Sequence, residues 1–427
     1  MSFADKYLDR QHFTGITKSP PHPDLRYIVV IPCFFEPLLA DTLNSLWSCK
    51  QPKGAVEVLV VINAPVDAPD KEIEQNKQTL ASVKEWAESH SRSRFRTFTT
   101  SELLLPEKYA GPGLARKIGM DEAVYRFSRL DRPDGVILSL DADCTVKANY
   151  FTEIERQFKQ APDTKACSIR FEHVDRGPAF DPQTLEATLA YELHLRYYIQ
   201  AVRNTGFPHA YHTIGSCFCV KAETYVKQGG MNKRKGGEDF YFLQKIIPLG
   251  NFHEINKTCV YPVARLSDRV PFGTGIAVWK NILYGKEQMT FHPESFPALA
   301  VLFSKPEQLF RAGHETVNAY LEALPDHIKL FLRDEFESRI AEINANTAYP
   351  ESFRRRFFLW FNMFKILKYL NFAHEGHFDK QPVNQAADAL LRDMGTFKAP
   401  ATPEKPDTAE LLAVYRKIQR RPQGFGS

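Results

Sequence analysis

The 427-residue chain is long enough to bury a large core, and its 43% hydrophobic and 25% charged residues are ordinary for a globular protein. A formal net charge of +4 is small for this length, so the composition gives no support for nucleic-acid binding. The seven scattered cysteines predict buried thiols in a reducing compartment rather than a disulfide framework.

The N-terminus, Met1–Lys6, lacks the apolar core of a signal peptide, and no later run is long and uncharged enough to span a bilayer. These two features predict a cytoplasmic protein.

Apolar strands then alternate with helical patterns. We predict strands at 27–32, 56–62, 95–98, 136–140 and 166–171, an apolar segment at 213–220, and helices at 38–49, 70–89, 113–127, 185–202, 239–247 and 408–419. This order predicts an α/β fold with a doubly wound, mostly parallel sheet. We expect a catalytic domain over residues 1–280, a helical C-terminal region over 281–397, and a linker with a short helix over 398–427.

The first two strands end in residues that suit a ligand-binding edge. Pro32 ends the first strand and opens a loop containing Cys33 and Glu36, and Asn63 ends the second strand. In a doubly wound sheet this edge meets ligands. Glu36 is equally explained as an acid at a helix start, and Asn63 as an Asx turn.

Residues 108–117 contain two glycines before a helix, with Arg116 and Lys117 in its first turn. Basic residues there oppose the helix dipole, which an anionic ligand would explain. An ordinary capped helix with solvated basic residues is the competing interpretation.

An apolar strand ends in Asp141-Ala142-Asp143. Two carboxylates at such an edge suit a divalent cation that also binds a diphosphate, since Mg²⁺ and Mn²⁺ prefer carboxylate and phosphate oxygens. A solvated turn is the alternative.

Farther along, the glycine-rich residues 229–237 deliver Glu238 and Asp239 onto the first turn of a helix. Acids at this position stabilise a helix N-terminus. A desolvated carboxylate in a cleft is also suited to act as a general base.

These motifs together resemble glycosyltransferase family 2 of the GT-A fold, over about residues 25–275. The resemblance is carried by Ile31–Glu36, the strand ending at Asn63, Gly113–Gly119, Leu140–Asp143 and Gly229–Asp239. It implies metal-dependent transfer of a sugar from a nucleotide diphosphate sugar to an acceptor hydroxyl, with inversion at the anomeric carbon.

The resemblance also implies roles for individual residues. Pro32, Cys33, Glu36, Asn63, Arg116, Asp141 and Ala142 would bind the nucleotide sugar. Asp143, with Asp141, would hold Mn²⁺ or Mg²⁺. Asp239 would deprotonate the acceptor, with Glu238 beside it. Asn63 departs from the family, which usually has an acid there. The segment 265–275 has no counterpart in the family, but its arginines, including Arg269, and its glycines suit a lid that closes over the diphosphate. An exposed basic loop is the alternative.

Two other functions fit parts of the sequence. Asp141 to Thr145 matches the D-x-D-x-T pattern of haloacid-dehalogenase-like phosphohydrolases, although three predicted strands precede it here and the expected later acidic pair is missing. A catalytically inactive nucleotide-sugar-binding or scaffold protein is the second alternative.

The segment 354–370 is basic at its start and aromatic afterwards. It suits a core helix, a homodimer interface, or peripheral contact with the inner face of the membrane near a lipid-linked, glycan or small-molecule acceptor. Apolar residues nearly all round the predicted helix favour the core.

Overall fold

The computed structural model describes residues 2–90, 92–100, 103–174, 181–264, 282–395 and 407–420. It divides into two compact units, one of Met1–Thr188 with Thr213–Ile282 and one of Leu189–His212 with Leu283–Ser427. The domain bounds predicted from the sequence stay a prediction.

The first unit alternates strands and helices over most of its length. In chain order its elements are α1 (Asp5–Gln11), β1 (Leu25–Cys33), α2 (Leu39–Trp47), β2 (Ala55–Pro65), α3 (Asp70–Ser89), β3 (Phe95–Thr99), β4 (Leu103–Leu105), α4 (Pro112–Ser128), β5 (Val136–Ser139), β6 (Cys144–Val146), α5 (Tyr150–Gln160), β7 (Ala166–Phe171), the start of α6 (Pro182–Asn204), β8 (Phe218–Lys221), α7 (Ala222–Lys227), α8 (Glu238–Ile246) and β9 (Phe252–Pro262).

These strands form one sheet in the order β3-β2-β1-β5-β8-β7-β9-β6, with β4 also beside β2. The pairings of β1 with β2 and β5, of β2 with β3 and β4, and of β7 with β9 are parallel. Strand β8 runs antiparallel to both β5 and β7, and β6 antiparallel to β9. The predicted α/β class with a mostly parallel sheet is confirmed. The strand order reverses at β1, which is where such sheets bind ligands.

Helix α4 is held close to the centre of this sheet. Gly119 faces Val30 of β1 and Val61 of β2 so closely that a Cβ at this position would collide with both valines. The side chains of Val30 and Val61 are fully buried. This contact fixes the helix, and with it the position of its N-terminus above the carboxyl edge of β1 and β2.

The apolar segment 213–220 is a strand only at its end. Only Phe218–Lys221 pairs as a strand, whereas 213–217 form an irregular segment that includes Gly215. The apolar composition of this stretch reflects burial, and burial alone does not distinguish a strand from a packed loop.

The second unit is mainly helical. It contains the rest of α6, a short antiparallel pair of β10 (Met289–Thr290) and β11 (Gln381–Pro382), and the helices α9 (Pro297–Phe303), α10 (His314–Glu322), α11 (Asp326–Leu332), α12 (Phe336–Ala345), α13 (Pro350–Trp360), α14 (Met363–Gly376), α15 (Val383–Asp393) and α16 (Thr408–Arg420). The predicted helical C-terminal region and terminal helix are therefore present.

The aromatic segment 354–370 forms two helices rather than the single predicted one. Helix α13 ends at Trp360, and the Asn362 side chain begins α14 by accepting a hydrogen bond from the Lys365 backbone N–H at 3.1 Å. Four of its six aromatic rings are buried, those of Phe357, Phe358, Phe361 and Tyr369. This burial favours the core interpretation. Within the described ranges, the helices are all too short or too polar to cross a bilayer.

All seven cysteines are reduced and buried, as the sequence predicts. They all lie in the first unit. Burial raises the pKa of the Cys49 thiol to about 12, and it raises the pKa of Cys144 and Cys167 well above the ordinary value.

Candidate functional site at the carboxyl edge of the sheet

The site lies where three neighbouring parallel strands end. Cys33 of β1 pairs with Ile62 of β2, which places Asn63 beside the loop that follows β1. Val30 of β1 pairs with Ser139 of β5, so Asp141 leaves the sheet at the same edge. The structure thus brings together three of the positions predicted from separate motifs.

Arg116 of α4 is the central side chain of this edge. Its guanidinium is buried, with 2% of the side chain exposed, and its Nη2 donates to Asp141 Oδ1 at 2.5 Å. Nη1 donates to Glu238 Oε1 of α8. Burial lowers the pKa of Arg116, but the charges of Asp141, Glu238 and Asp239 outweigh burial and raise it above its ordinary value. Arg116 therefore stays charged and joins two carboxylates from separate elements.

The two acids that begin α8 have different environments. Glu238 is buried against Arg116, whereas Asp239 is only partly buried and accepts the Phe240 N–H at 2.7 Å. Desolvation, and next the charge of Glu238, raise the pKa of Asp239 to about 7, against the lowering effect of Arg116. A carboxylate with a pKa near neutrality is suited to take a proton from a hydroxyl group.

Two glycines allow this arrangement. Gly113, at the start of α4, lies against the Arg234 carbonyl and the Glu238 side chain, where a Cβ would collide with that carbonyl. Gly237 precedes α8 with φ of 68°, a left-handed conformation that favours glycine. The glycine-rich segments 108–117 and 229–237, predicted separately from the sequence, thus pack directly on each other.

The loop after β1 is held by two asparagine side chains. Asn63 Nδ2 donates to the Cys33 carbonyl at 3.0 Å and to the Val61 carbonyl at 3.2 Å. Asn76 of α3 donates to the Asn63 carbonyl at 2.9 Å and accepts the Phe35 N–H at 3.1 Å. Phe35 has φ of 47°, which is unfavourable for a bulky residue and common near functional sites.

The remaining residues predicted near the nucleotide have structural contacts. Pro32 and Cys33 are buried at the end of β1. Glu36 is buried and accepts the Leu38 N–H at 3.2 Å beside the start of α2, as its helix-start interpretation predicts. Ala142 is buried, and its carbonyl accepts from Thr42 at 2.8 Å.

Asp143 and Asp141 are the carboxylates predicted to hold a metal ion. Asp143 is partly buried and its Oδ1 accepts from the Cys144 thiol at 3.4 Å, whereas 39% of the Asp141 side chain is exposed. No cluster of three or more protein ligands occurs among the described residues. Two carboxylates still fit Mg²⁺ or Mn²⁺, because Mg²⁺ commonly takes one or two carboxylates together with substrate phosphates and water.

The sequence also singles out the basic residues Lys117 and Arg269. Lys117 does not face a ligand, because its Nζ is buried and pairs with Asp121 at 2.5 Å. Asp121 also accepts from Tyr7 at 2.6 Å and from Tyr225 at 2.9 Å, so this network is structural. Arg269 and the predicted lid at 265–275 lie outside the described residues.

Sequence reasoning missed Gly215 and Asn76. A Cβ at Gly215 would lie 3.0 Å from Arg116 Nη2 and 3.1 Å from Asp239 Oδ2. Gly215 lies inside the apolar segment 213–220, and Asn76 lies inside the polar helix predicted at 70–89. Neither position has a local sequence pattern that would have revealed its contact.

No protein-family model and no curated protein matches the sequence. Similar solved structures include S. aureus TarS 1–349 in complex with UDP, at 14% identity, covering 77% of this chain and 89% of that chain with a TM-score of 0.38. The TarS 1–349 complex with UDP-GlcNAc has 14% identity, covers 77% of this chain and 90% of that chain, and has a TM-score of 0.39.

Proposed function

We propose that the protein is a glycosyltransferase that moves a sugar from a nucleotide diphosphate sugar to an acceptor hydroxyl. The observation that carries this proposal is the buried guanidinium of Arg116, which joins Asp141 at the strand edge to Glu238, with Asp239 alongside. The site thus sets a carboxylate of near-neutral pKa beside the edge where doubly wound sheets bind nucleotides.

Asp239 is the residue we propose as general base. It is the less buried member of the acid pair, and its raised pKa allows it to accept a proton near pH 7. Removal of the acceptor proton during attack on the anomeric carbon gives a single displacement with inversion. Arg116 keeps a fixed positive charge close to the reacting groups throughout.

Asn63 is the residue we propose to contact the nucleobase. Its Nδ2 donates to the Cys33 and Val61 carbonyls, so an interaction of this amide with the base would use Oδ1. An acceptor oxygen favours a base with a ring N–H, such as uracil or guanine, over cytosine or adenine, whose corresponding ring nitrogens are acceptors. We therefore propose UDP- or GDP-linked donors.

Asp143, with Asp141, is the pair we propose to hold Mn²⁺ or Mg²⁺. A divalent cation bound there would neutralise charge on the diphosphate leaving group. A cytoplasmic location, a homodimer and peripheral membrane contact through 354–370 stay predictions from the sequence.

The test of this function is a panel of UDP- and GDP-linked sugars incubated with the pure protein and Mn²⁺, with slow donor hydrolysis as the readout. We expect hydrolysis of at least one donor, its loss with EDTA, and stabilisation of the fold by the matching nucleoside diphosphate. Release of phosphate from p-nitrophenyl phosphate, with no response to any nucleotide, would favour the phosphohydrolase. Nucleotide binding without turnover on any donor or acceptor would favour the inactive binding protein.

A further inference from the structure

The buried part of the site links residues on three separate elements. Arg116 belongs to α4, Asp141 follows β5, and Glu238 begins α8. Both carboxylates bind the same guanidinium, one at each terminal nitrogen. Since a guanidinium is planar and rigid, a displacement of one carboxylate changes the position available to the other.

Arg116 has little freedom to move within this arrangement. Its Nε is buried and has no hydrogen-bond partner in the described ranges, so the carboxylates and the surrounding packing set its position. Gly215 lies on the guanidinium and on Asp239 Oδ2 together, with room for a hydrogen but not for a relaxed methyl group. Asp141 and Glu238 therefore bind one buried guanidinium, and Gly215 lies between that guanidinium and Asp239 Oδ2.

We propose that Arg116 is a positioning residue that couples Asp141, on the donor side, to Glu238 in the first turn of α8, which also carries Asp239 on the acceptor side. Glu238 holds the guanidinium rather than taking the acceptor proton, because its side chain is 4% exposed and already binds Nη1. This inference rests on the proposed function for the roles of the two sides. The physical coupling itself is a property of the protein without ligand.

A double-mutant cycle of Asp141→Asn and Glu238→Gln tests the coupling. Both substitutions keep shape and remove one charge. The affinities for uridine diphosphate and for guanosine diphosphate are measured for the wild type, the two single variants and the double variant. We expect the effect of Asp141→Asn on affinity to differ by about threefold or more with and without Glu238, as for residues that share a partner.

Glu57→Gln is the matched control. Glu57 is also buried and accepts from Arg126 at 2.5 Å and 3.0 Å, but it lies near the start of β2, away from the carboxyl edge. The effects of Glu57→Gln and Asp141→Asn on the binding free energy of the nucleoside diphosphate should be additive. A merely structural effect of losing a buried acid would make the two cycles alike and would overturn the proposal.

Arg116→Lys adds a second comparison, because an ammonium is a point charge that cannot reproduce the two-sided fork. In that background the non-additivity between Asp141 and Glu238 should disappear. If Arg116→Lys does not fold, the cycle in the Arg116 background still decides the proposal. Additive affinities there would overturn it.

The unfolding midpoint in urea is measured on the same variants without nucleotide. The double variant should lose more stability than the two single losses together, because it leaves the buried guanidinium without either carboxylate. If the wild type binds no nucleoside diphosphate, the proposed function fails, and the unfolding cycle alone then supports or overturns the coupling. The two failures are thus distinguished.

Discussion

At the residue scale, the site separates two neighbouring acids by burial. Glu238 is occupied by Arg116, whereas Asp239 remains partly accessible next to the same guanidinium. They are adjacent in the sequence, so only the family resemblance, and no local pattern, assigned different roles to them. The difference arises because the first turn of α8 presents adjacent residues to different surroundings.

Asp239→Asn should lower turnover by about 10²- to 10⁴-fold, the usual worth of a positioned base, while donor binding is retained. The amide keeps the shape of the carboxylate and can still accept the Phe240 N–H. Single-turnover rates and melting temperatures on one preparation check this. Near-normal transfer by the folded variant would remove Asp239 as the base.

Turnover and stability should depend on pH in opposite directions. Because Asp239 must be ionised to act as a base, kcat/KM should rise as pH increases through about 7, the pKa of its carboxyl group. Because the pKa of Asp239 is raised from 3.8 in the unfolded chain, the folded state binds this proton more tightly than the unfolded state. Asp239 therefore contributes to the free energy of unfolding at low pH, and that contribution is lost as pH rises from about 4 to about 7. Urea unfolding at several pH values should show this slope in the wild type and a weaker slope in Asp239→Asn. Equal slopes would contradict the raised pKa.

Asn63→Asp should destabilise the fold by about 1–3 kcal/mol at pH 7, the usual cost of a buried polar group without a suitable partner. The new carboxylate would place an oxygen against the Cys33 and Val61 carbonyls in place of two N–H donors. Protonation relieves this contact, so the loss should shrink as pH falls. Urea unfolding checks it, with Asn371→Asp on the exposed surface of α14 as the control. A loss of the same size in that control would contradict the argument.

At the element scale, the sequence predicted the strands and helices of the first unit well where the hydrophobic period is strong. Helix α3 and strand β7 have the predicted bounds, Asp70–Ser89 and Ala166–Phe171. The antiparallel direction of β8 was not predictable, because strand direction depends on connections and partners rather than on local composition. The break before α14 depends on one capping side chain, Asn362, within an otherwise continuous apolar pattern.

The candidate site was predictable only in part, for the same reason. The motifs gave Asp141, Arg116 and Asp239 as separate candidates at element ends. Arg116 joins Asp141 to the first turn of α8 because α8 packs against the start of α4. No spacing of residues in the sequence predicts that packing.

Gly113→Ala should impair the site without touching a charged group. The added methyl would collide with the Arg234 carbonyl and force apart the starts of α4 and α8. We expect lower turnover together with a lower melting temperature. Gly313→Ala is the control, since its Cβ would meet nothing within 4 Å. Equal behaviour of the two variants would contradict the close packing of the two loops.

At the scale of the whole molecule, the second unit is stabilised by contacts between helices that are distant in the sequence. In the second unit, Glu192 of α6 is fully buried and accepts from Arg196 at 2.8 Å and from Arg416 of α16 at 2.8 and 2.9 Å. Tyr415 of α16 donates to the Ala387 carbonyl at 3.0 Å. Arg416 is 224 residues from Glu192 in the chain, so α16 completes the surroundings of α6.

Ending the chain at Gly395 should therefore destabilise the second unit. Loss of α16 leaves Glu192 with one arginine fewer and exposes the surface that covered Leu411 and Leu412, which are buried. We expect a lower melting temperature and faster proteolysis within 283–395. Lys417→Ala, an exposed position on the same helix, is the control and should leave both unchanged. An unaltered proteolysis pattern in the shortened chain would contradict this role of α16.

The placement of the cysteines gives the first unit a chemical label that the second unit lacks. All seven thiols are buried in the folded first unit, and the second unit contains no cysteine. The rate at which a thiol reagent consumes thiols in native conditions therefore reports the opening of the first unit alone. Ligands that bind at the carboxyl edge would slow this reaction. The affinities of different donors could therefore be ranked without any knowledge of the acceptor.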